Sequence, residues 1–437
     1  MNKIAALLSD AIGSDGIQLW DAVEPRQQLQ VMSAIATEAP PACVALPNTS
    51  DQLGQVMAIA AQHGWRIMPM GQGSKLGWGG LAHGIDIVIS TARLNRIVEH
   101  AVGDYTVTVE PGLKITALQQ VLAEQQQSLA IDPAFDQLAS VGGVVATADT
   151  GSLRQRYGGL RDMLIGVQFA RYDGELARAG GRVVKNVAGY DLMKLLTGSY
   201  GSLGILSELT FRLYPVQRCS RSLLLSAGLQ AIEAATAEVR LSGLTPVAMD
   251  VVVDRTAAEG TSLVARFQGI EAGVEEQTER LKKIATTHGM ACKQLDGEAD
   301  EAYWRQSAQA IRADTLLCKV GLRPSGIPWL IELADMVFPG AQVRLYGSSG
   351  LGWIQVEIAE RLTDERLENE LLAGLAKVRS HCQKNAGFLT VLQAPKAVKA
   401  KLDVWGYEGN ALDVMKAIKE KFDPNNQLSP GRFVGGL

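Results

Sequence analysis

Apolar positions along the chain follow two spacings. After Thr49, the residues Leu53, Val56, Met57 and Ala60 recur at helical intervals. Thr49 and Gln52 stand as a capping box would place them, and Gly64 follows as a stop. A short apolar run over 65–70 comes next, then a glycine-rich stretch, so the order is helix, strand, glycine loop. Residues 85–90 read as a buried strand. Residues 105–110 alternate as Thr-Val-Thr-Val and end at Pro111-Gly112, as a strand meeting a turn does. A helix is expected over 116–126, with Leu118, Val121 and Leu122 on one face. A strand over 205–213 would turn Ile205, Leu209, Phe211 and Leu213 inward and Glu208, Thr210 and Arg212 outward, with Pro215 ending it. Up to this point strands alternate with helices. Further on, strands are expected at 223–226, 247–253, 263–268, 316–322, 342–346, 353–358 and 387–393. Helices are expected at 231–241, 274–288, 364–380 and 410–421. This second pattern suits an α+β cap built on an antiparallel sheet.

The glycine stretch holds the first chemistry. Gly71, Gly73, Gly77, Gly79 and Gly80 fall within ten residues, beside Ser74 and Lys75. Glycine admits positive φ and close approach, and consecutive amides in such a loop converge on an anion. With a hydroxyl and a cation added, the loop suits a diphosphate, although a glycine-rich surface turn reads the same way in isolation. It is neither a dinucleotide fingerprint, because Leu76 takes the third glycine position, nor a P-loop, because Leu76 follows Lys75. Two more small-residue regions follow. One runs from Ile131-Asp132-Pro133 through Ser140, Gly142, Gly143 and Ala146. The other runs from Gly180 through Gly198, Gly201 and Gly204. Three such regions favour one extended ligand.

Composition narrows the classes. The chain has 437 residues, 47% hydrophobic and 20% charged, with a net charge of −4. Two or three domains with substantial cores fit this length, and the charge gives no footprint for nucleic acid. No apolar run reaches the roughly 20 residues of a membrane span. Residues 1–20 are interrupted by Asp10, Gly13, Asp15 and Gly16, unlike a secretory signal. The expected location is the cytoplasm, with peripheral membrane attachment through other subunits left open. The five cysteines (Cys43, Cys219, Cys292, Cys318, Cys382) contain no Cys-x-x-Cys pair, and no two histidines lie within metal-binding spacing. No metal site and no iron–sulfur cluster is therefore expected within this chain.

Particular words then make the pattern specific. They are Gly71-Gln72-Gly73-Ser74-Lys75, Gly142-Gly143 with Val145-Ala146, and Arg161-Asp162 with Gly166. The strongest runs from Val184 and Lys185 through Gly189, Tyr190 and Asp191 to Leu192, then from Gly198 to Gly204. Phe422-Asp423-Pro424-Asn425 and Pro430-Gly431-Arg432 close the set. In these words the chain resembles the vanillyl-alcohol-oxidase/PCMH flavoproteins, and within them the flavin subunits of three-subunit bacterial glycolate dehydrogenases. The resemblance implies an α+β fold: a PCMH-type FAD-binding domain of two α/β subdomains over 37–217, after a lead-in over 1–36. An α+β cap domain with an antiparallel sheet would follow over 218–400, and 401–437 would return to the FAD domain. It implies that Pro69, Met70, Gly71, Gln72, Gly73, Ser74 and Lys75 cradle the FAD diphosphate. Pro133, Ser140, Gly142, Gly143 and Ala146 would line its ribityl and adenine side, with Gly201, Gly204 and Ile205 at the adenosine half. The family's usual Val-Ala-Thr-Asn-Ala-Gly-Gly word is altered here to Val145-Ala146-Thr147-Ala148-Asp149-Thr150-Gly151.

Covalently held flavin in this family usually involves a histidine near the first loop. Residues 71–75 hold none, so non-covalent FAD is expected. The resemblance also implies oxidation of glycolate, a small 2-hydroxy acid, alongside two partners, a second flavin subunit and an iron–sulfur subunit. The paired cap histidines that hold a metal in related substrate-oxidising subunits are missing. A largely structural assembly subunit and a self-sufficient FAD dehydrogenase for another 2-hydroxy acid therefore stand as alternatives. Lys319, Arg323 and Arg344 are cations near expected cap strands, more readily read as solvated strand faces. Arg161-Asp162 reads as a structural ion pair. No catalytic residue is assigned.

Overall fold

The computed structural model describes residues 3–182, 189–253, 260–358 and 365–437. The chain folds as two compact units. One comprises Met1–Asp149, Gly159–Pro215 and Lys399–Leu437, the other Thr150–Gly158 and Val216–Val398. The expected α+β class is the one observed, with an antiparallel sheet in the later unit.

The first unit holds a four-stranded sheet in the order Ile17–Leu19, Cys43–Ala45, Ile87–Ser90, Ile67–Met70. Ile87–Ser90 pairs in parallel with both of its neighbours. All four of its residues are buried, as a parallel strand covered on both faces must be. The helix Ser50–His63 precedes Ile67–Met70 and packs Leu53, Val56 and Met57 against Ala5 and Leu8 of the helix Lys3–Ile12. Thr49 Oγ1 accepts from Gln52 N (3.1 Å), while Gln52 Oε1 accepts from Asn48 N (2.7 Å) rather than from Thr49. Gly64 ends the helix in the left-handed region at φ 68°.

A five-stranded antiparallel sheet follows in the same unit. Its order is Ile97–Ala101, Thr106–Val109, Ile205–Arg212, Leu164–Ala170, Leu176–Gly180. The inward/outward reading of 205–213 is corrected here. Thr210 is buried, with its hydroxyl 2.9 Å from that of Thr108 on the neighbouring strand, and Ser207 is fully buried. Cross-strand hydroxyl pairing lets polar residues occupy a covered face.

Residues from the chain's end complete this unit. Ile67 N donates to Gln427 O (2.7 Å) and Ser429 N to Ile67 O (2.8 Å), so the tail runs parallel beside Ile67–Met70.

The second unit is an eight-stranded antiparallel sheet. Its order is Ala291–Asp296, Cys219–Ser226, Thr261–Gly269, Ala248–Val253, Gln342–Tyr346, Leu351–Glu357, Thr315–Gly321, Phe388–Gln393. The sequence reading lacked Ala291–Asp296 and the helices Gly297–Ala308 and Ile327–Val337. The first is an exposed edge strand without apolar alternation. Gly297–Ala308 buries only Asp300 and Trp304, the carboxylate satisfied by Arg266 (2.8 Å), Ser220 (2.7 Å) and Ser222 (2.5 Å). Ile327–Val337 is short, has a proline in its first turn, and is apolar on most sides.

Candidate cofactor site

The strand Ile67–Met70 delivers the chain into the glycine loop. Thr91 N still donates to Met70 O (2.8 Å). Beyond that point, among the described residues, none of the five consecutive amides of residues 71–75 donates to a protein acceptor. Pairing resumes with Leu76 N on Gly73 O (3.1 Å) and Trp78 N on Lys75 O (3.0 Å). Residues 71–74 are only partly buried. Successive backbone donors without a protein acceptor are available to an anion, and convergent amides of this kind bind phosphate groups.

These residues line a cleft within the first unit. Pro69, Met70, Gly71, Gln72, Gly73, Ser74 and Lys75 line one side. Ser140, Gly142, Gly143 and Ala146 line another, and Gly201, Gly204 and Ile205 a third. Of the expected positions only Pro133 is outside the lining. It is buried next to Ala134, whose backbone carbonyl accepts from Lys75. The sequence reading missed Thr91, Pro111, Ser199, Tyr200, Leu206 and Arg432 on the same walls. Arg432 lies within the Pro-Gly-Arg word, which identified it as notable without saying where it would stand.

Close approach explains the glycines. A Cβ on Gly71 would stand 2.1 Å from Ser140 Oγ, and one on Gly142 would meet Pro111 Cβ at 2.5 Å and Pro111 O at 2.9 Å. Ser140 caps the helix Val141–Thr147, its hydroxyl accepting from Gly143 N (3.3 Å). Gly198 N donates to Val145 O and Tyr200 N to Ala146 O, each at 2.9 Å, so the third glycine region is tied to that helix. Tyr200 is buried edge-on to Trp405, with ring centres 5.0 Å apart, and burial pushes its phenol well above the ordinary range.

Lys75 departs from expectation. Its ammonium donates to Ala134 O (2.7 Å) and lies 3.3 Å from Asp149 Oδ2, so its charge is met inside the protein. Burial pushes its pKa down, and the Asp149 charge opposes that shift. Asp149 also accepts from Ala134 N (2.8 Å). The altered word at 145–151 thus supplies the carboxylate that ties the loop to residue 134. The diphosphate contact open to this loop is its row of amides.

Other expectations are also revised. Asp162 accepts from Gly159 N (2.8 Å), and no ion pair joins it to Arg161 among the described residues. The flanking fork Arg96–Glu110 (2.6 Å) shows what a real pair in this unit looks like. In the second unit Arg344 is buried rather than solvated. It lies 3.6 Å from Asp250 Oδ2, an oxygen that also accepts from Ser152 (2.5 Å). Burial raises the Asp250 pKa, against the pull of Arg344 and the Ser152 bond. Lys319 is half-buried and Arg323 exposed. Residues 184–188 of the strongest sequence word, Lys185 included, lie outside the described residues.

A pocket of this lining with an open row of donors would suit an extended, diphosphate-bearing ligand. Comparison with known proteins says which. A family profile described as "FAD binding domain" matches residues 41–180. Over 90% of this chain and 89% of its own length, glycolate oxidase subunit GlcD of Bacillus subtilis is 24% identical. A mitochondrial D-lactate dehydrogenase (cytochrome) of Arabidopsis thaliana is 25% identical over 90% of this chain and 73% of its own. Among solved structures, p-cresol methylhydroxylase with substrate bound superposes with a TM-score of 0.78 at 17% identity, covering 99% of this chain and 96% of that one. These matches support an FAD-binding protein of the vanillyl-alcohol-oxidase/PCMH kind and an FAD-dependent oxidoreductase.

Proposed function

We propose that this chain is the FAD-bearing subunit of a 2-hydroxy-acid dehydrogenase, with glycolate as substrate and glyoxylate as product. The observation that carries the reading is the row of five open amides facing a cleft that the three glycine regions build together. Residues 71–75 hold the diphosphate, and Ser140, Gly142, Gly143, Ala146, Gly201, Gly204 and Ile205 hold the rest of the dinucleotide. Bound FAD supplies the two-electron acceptor, and the protein supplies its placement. The relatives named above support the substrate class, being a glycolate oxidase subunit and a D-lactate dehydrogenase. A D-2-hydroxyglutarate dehydrogenase of Xanthomonas citri, 25% identical over 90% of this chain, supports it too.

Partner subunits complete the reaction in this reading. The scattered cysteines leave cluster-borne electron transfer to an iron–sulfur subunit, and a second flavin subunit oxidises or shares the substrate. No helix among the described residues is long and apolar enough to cross a membrane, which agrees with a peripheral arrangement. A second reading, an assembly subunit that does not oxidise substrate itself, is favoured by Arg344. Its charge is met by Asp250, so it is not held ready for a substrate carboxylate.

Anaerobic mixing with glycolate, D-lactate or D-2-hydroxyglutarate tests the reading. Loss of the flavin visible band with glycolate, alone or once partners are added, is the expected result. A flavin that no 2-hydroxy acid reduces, with or without partners, leaves the assembly reading in its place. FAD is held without a covalent bond in this proposal, and no histidine or cysteine is among the described residues that line the cleft. Acid precipitation is therefore expected to leave the yellow colour in the supernatant, and a coloured pellet would reject the point.

A further inference from the structure

Two buried cations stand behind the glycine loop. Lys399 Nζ donates to the carbonyl of Gly77 and to that of Gly79, the latter at 2.7 Å. Arg432 Nη2 donates to Leu76 O (2.6 Å) and Trp78 O (2.8 Å). The four successive carbonyls of residues 76–79 are thus taken alternately by one cation and the other. The amides of the five residues just before them are the ones left open to the cleft. Arg432 is bound to the loop through its backbone as well, its carbonyl accepting from Gly80 N (2.9 Å). Arg432 is among the residues lining the cleft, whereas Lys399 is not.

We propose that Lys399 and Arg432 are positioning residues for the cofactor diphosphate: they hold the loop carbonyls away from the cleft and keep the amides of residues 71–75 turned into it. The inference rests on the reading of the cleft as an FAD site. Its physical basis is that the N–H and C=O groups of a tight loop are coupled. A cation that fixes the carbonyls of residues 76–79 limits the peptide rotations open to residues 71–75, and each peptide left in place presents its donor without reorganising. The arrangement carries an electrostatic cost in the empty protein. Burial, with the Arg432 charge beside it, pushes the Lys399 ammonium down to about 7, and burial pushes the Arg432 guanidinium down to about 10. A diphosphate in the cleft offsets that cost, so the two charges and the anion stabilise each other.

The glycines are consistent with the clamp. A Cβ at Gly80 would lie 2.6 Å from Gly431 O, and one at Gly79 would lie 3.2 Å from Arg432 O and 3.1 Å from Tyr200. Loop and tail are therefore in direct backbone contact where the two cations work.

The test uses full-length apoprotein titrated with FAD, followed by ³¹P resonances of the bound diphosphate. Lys399→Met is expected to weaken FAD binding by about tenfold or more, from the loss of a charged donor. Its ³¹P resonances should move toward those of free FAD. Lys399→Arg, which keeps a cation, should retain most of the affinity and the wild-type resonances. Should Lys399→Met not yield folded protein, Arg432→Lys is titrated in the same way. It is expected to weaken FAD binding and to shift the resonances, because an ammonium lacks the fixed donor directions of the planar guanidinium. Unchanged FAD affinity in the variant overturns the proposal, and so does weakened affinity with the ³¹P resonances unmoved. Wild-type apoprotein that takes up no FAD fails at an earlier point, since it rejects the cleft itself as the flavin site.

Discussion

Gly201→Ala should purify with little flavin and melt well below the parent protein. Gly201 has φ 73°, and a Cβ there would stand 2.3 Å from Pro69 Cγ. Two costs add. A non-glycine residue in the left-handed region costs about 1–2 kcal/mol, and overpacking against a rigid ring costs about 1–3 kcal/mol more. The proline cannot swing away, because its strand is paired in parallel with Ile87–Ser90. Relief must come from displacing the turn at 198–204, which carries Ser199, Tyr200, Gly204 and Ile205 on the cleft wall. Gly64→Ala is the comparison. That glycine also has positive φ, 68°, but open space where the Cβ would go. It should lose about 1 kcal/mol and keep its flavin. The two variants are compared by the ratio of flavin to protein absorbance and by Tm. Equal flavin content in both would mean that the turn does not shape the cleft.

The glycine positions were legible because each leaves a mark in composition, and three clusters in one patterned region imply a common ligand. The strands were legible where they are buried, as at Ile87–Ser90, and the strand Gln342–Tyr346 falls where one was expected. Partnership was not legible. Lys75 reads as a cation for phosphate, and only the fold shows that Asp149, 74 positions along the chain, takes its charge. Arg344 reads as a solvated strand residue, yet a carboxylate from the neighbouring strand meets it inside the sheet. A pattern of apolar spacing reports which face is covered. It does not report what a buried polar atom finds there, because the partner comes from distant sequence. For the same reason Lys399 and Arg432 gave no sign of reaching residues 76–79 from more than 300 positions away.

Lys419→Met should be the most destabilising single change in the tail. Lys419 is buried in the helix Leu412–Phe422. It donates to Asp423 Oδ2 (2.5 Å), Leu428 O (2.8 Å) and Ser202 O (2.9 Å). Burial pulls its pKa down, and Asp423 resists that shift. Asp423, fully buried, also accepts from Gln427 N (2.9 Å) and Leu428 N (2.7 Å). Methionine fills the volume but leaves the carboxylate without its counter-charge, a loss of about 3–5 kcal/mol. For a unit of this size that is a fall in Tm of roughly 10 °C. Lys416→Met, three residues earlier, removes only an exposed pair with Asp413 and should cost about 0.5 kcal/mol or less. Adding Asp423→Leu to Lys419→Met should recover part of the loss, since no charge is then stranded. Recovery must be incomplete, because the amides of Gln427 and Leu428 lose their acceptor, and these residues hold the tail beside Ile67–Met70. Flavin retention should fall along with stability, as the same ammonium steadies Ser202 in the turn that lines the cleft. A Lys419→Met protein as stable as Lys416→Met would show that this buried pair does not anchor the tail.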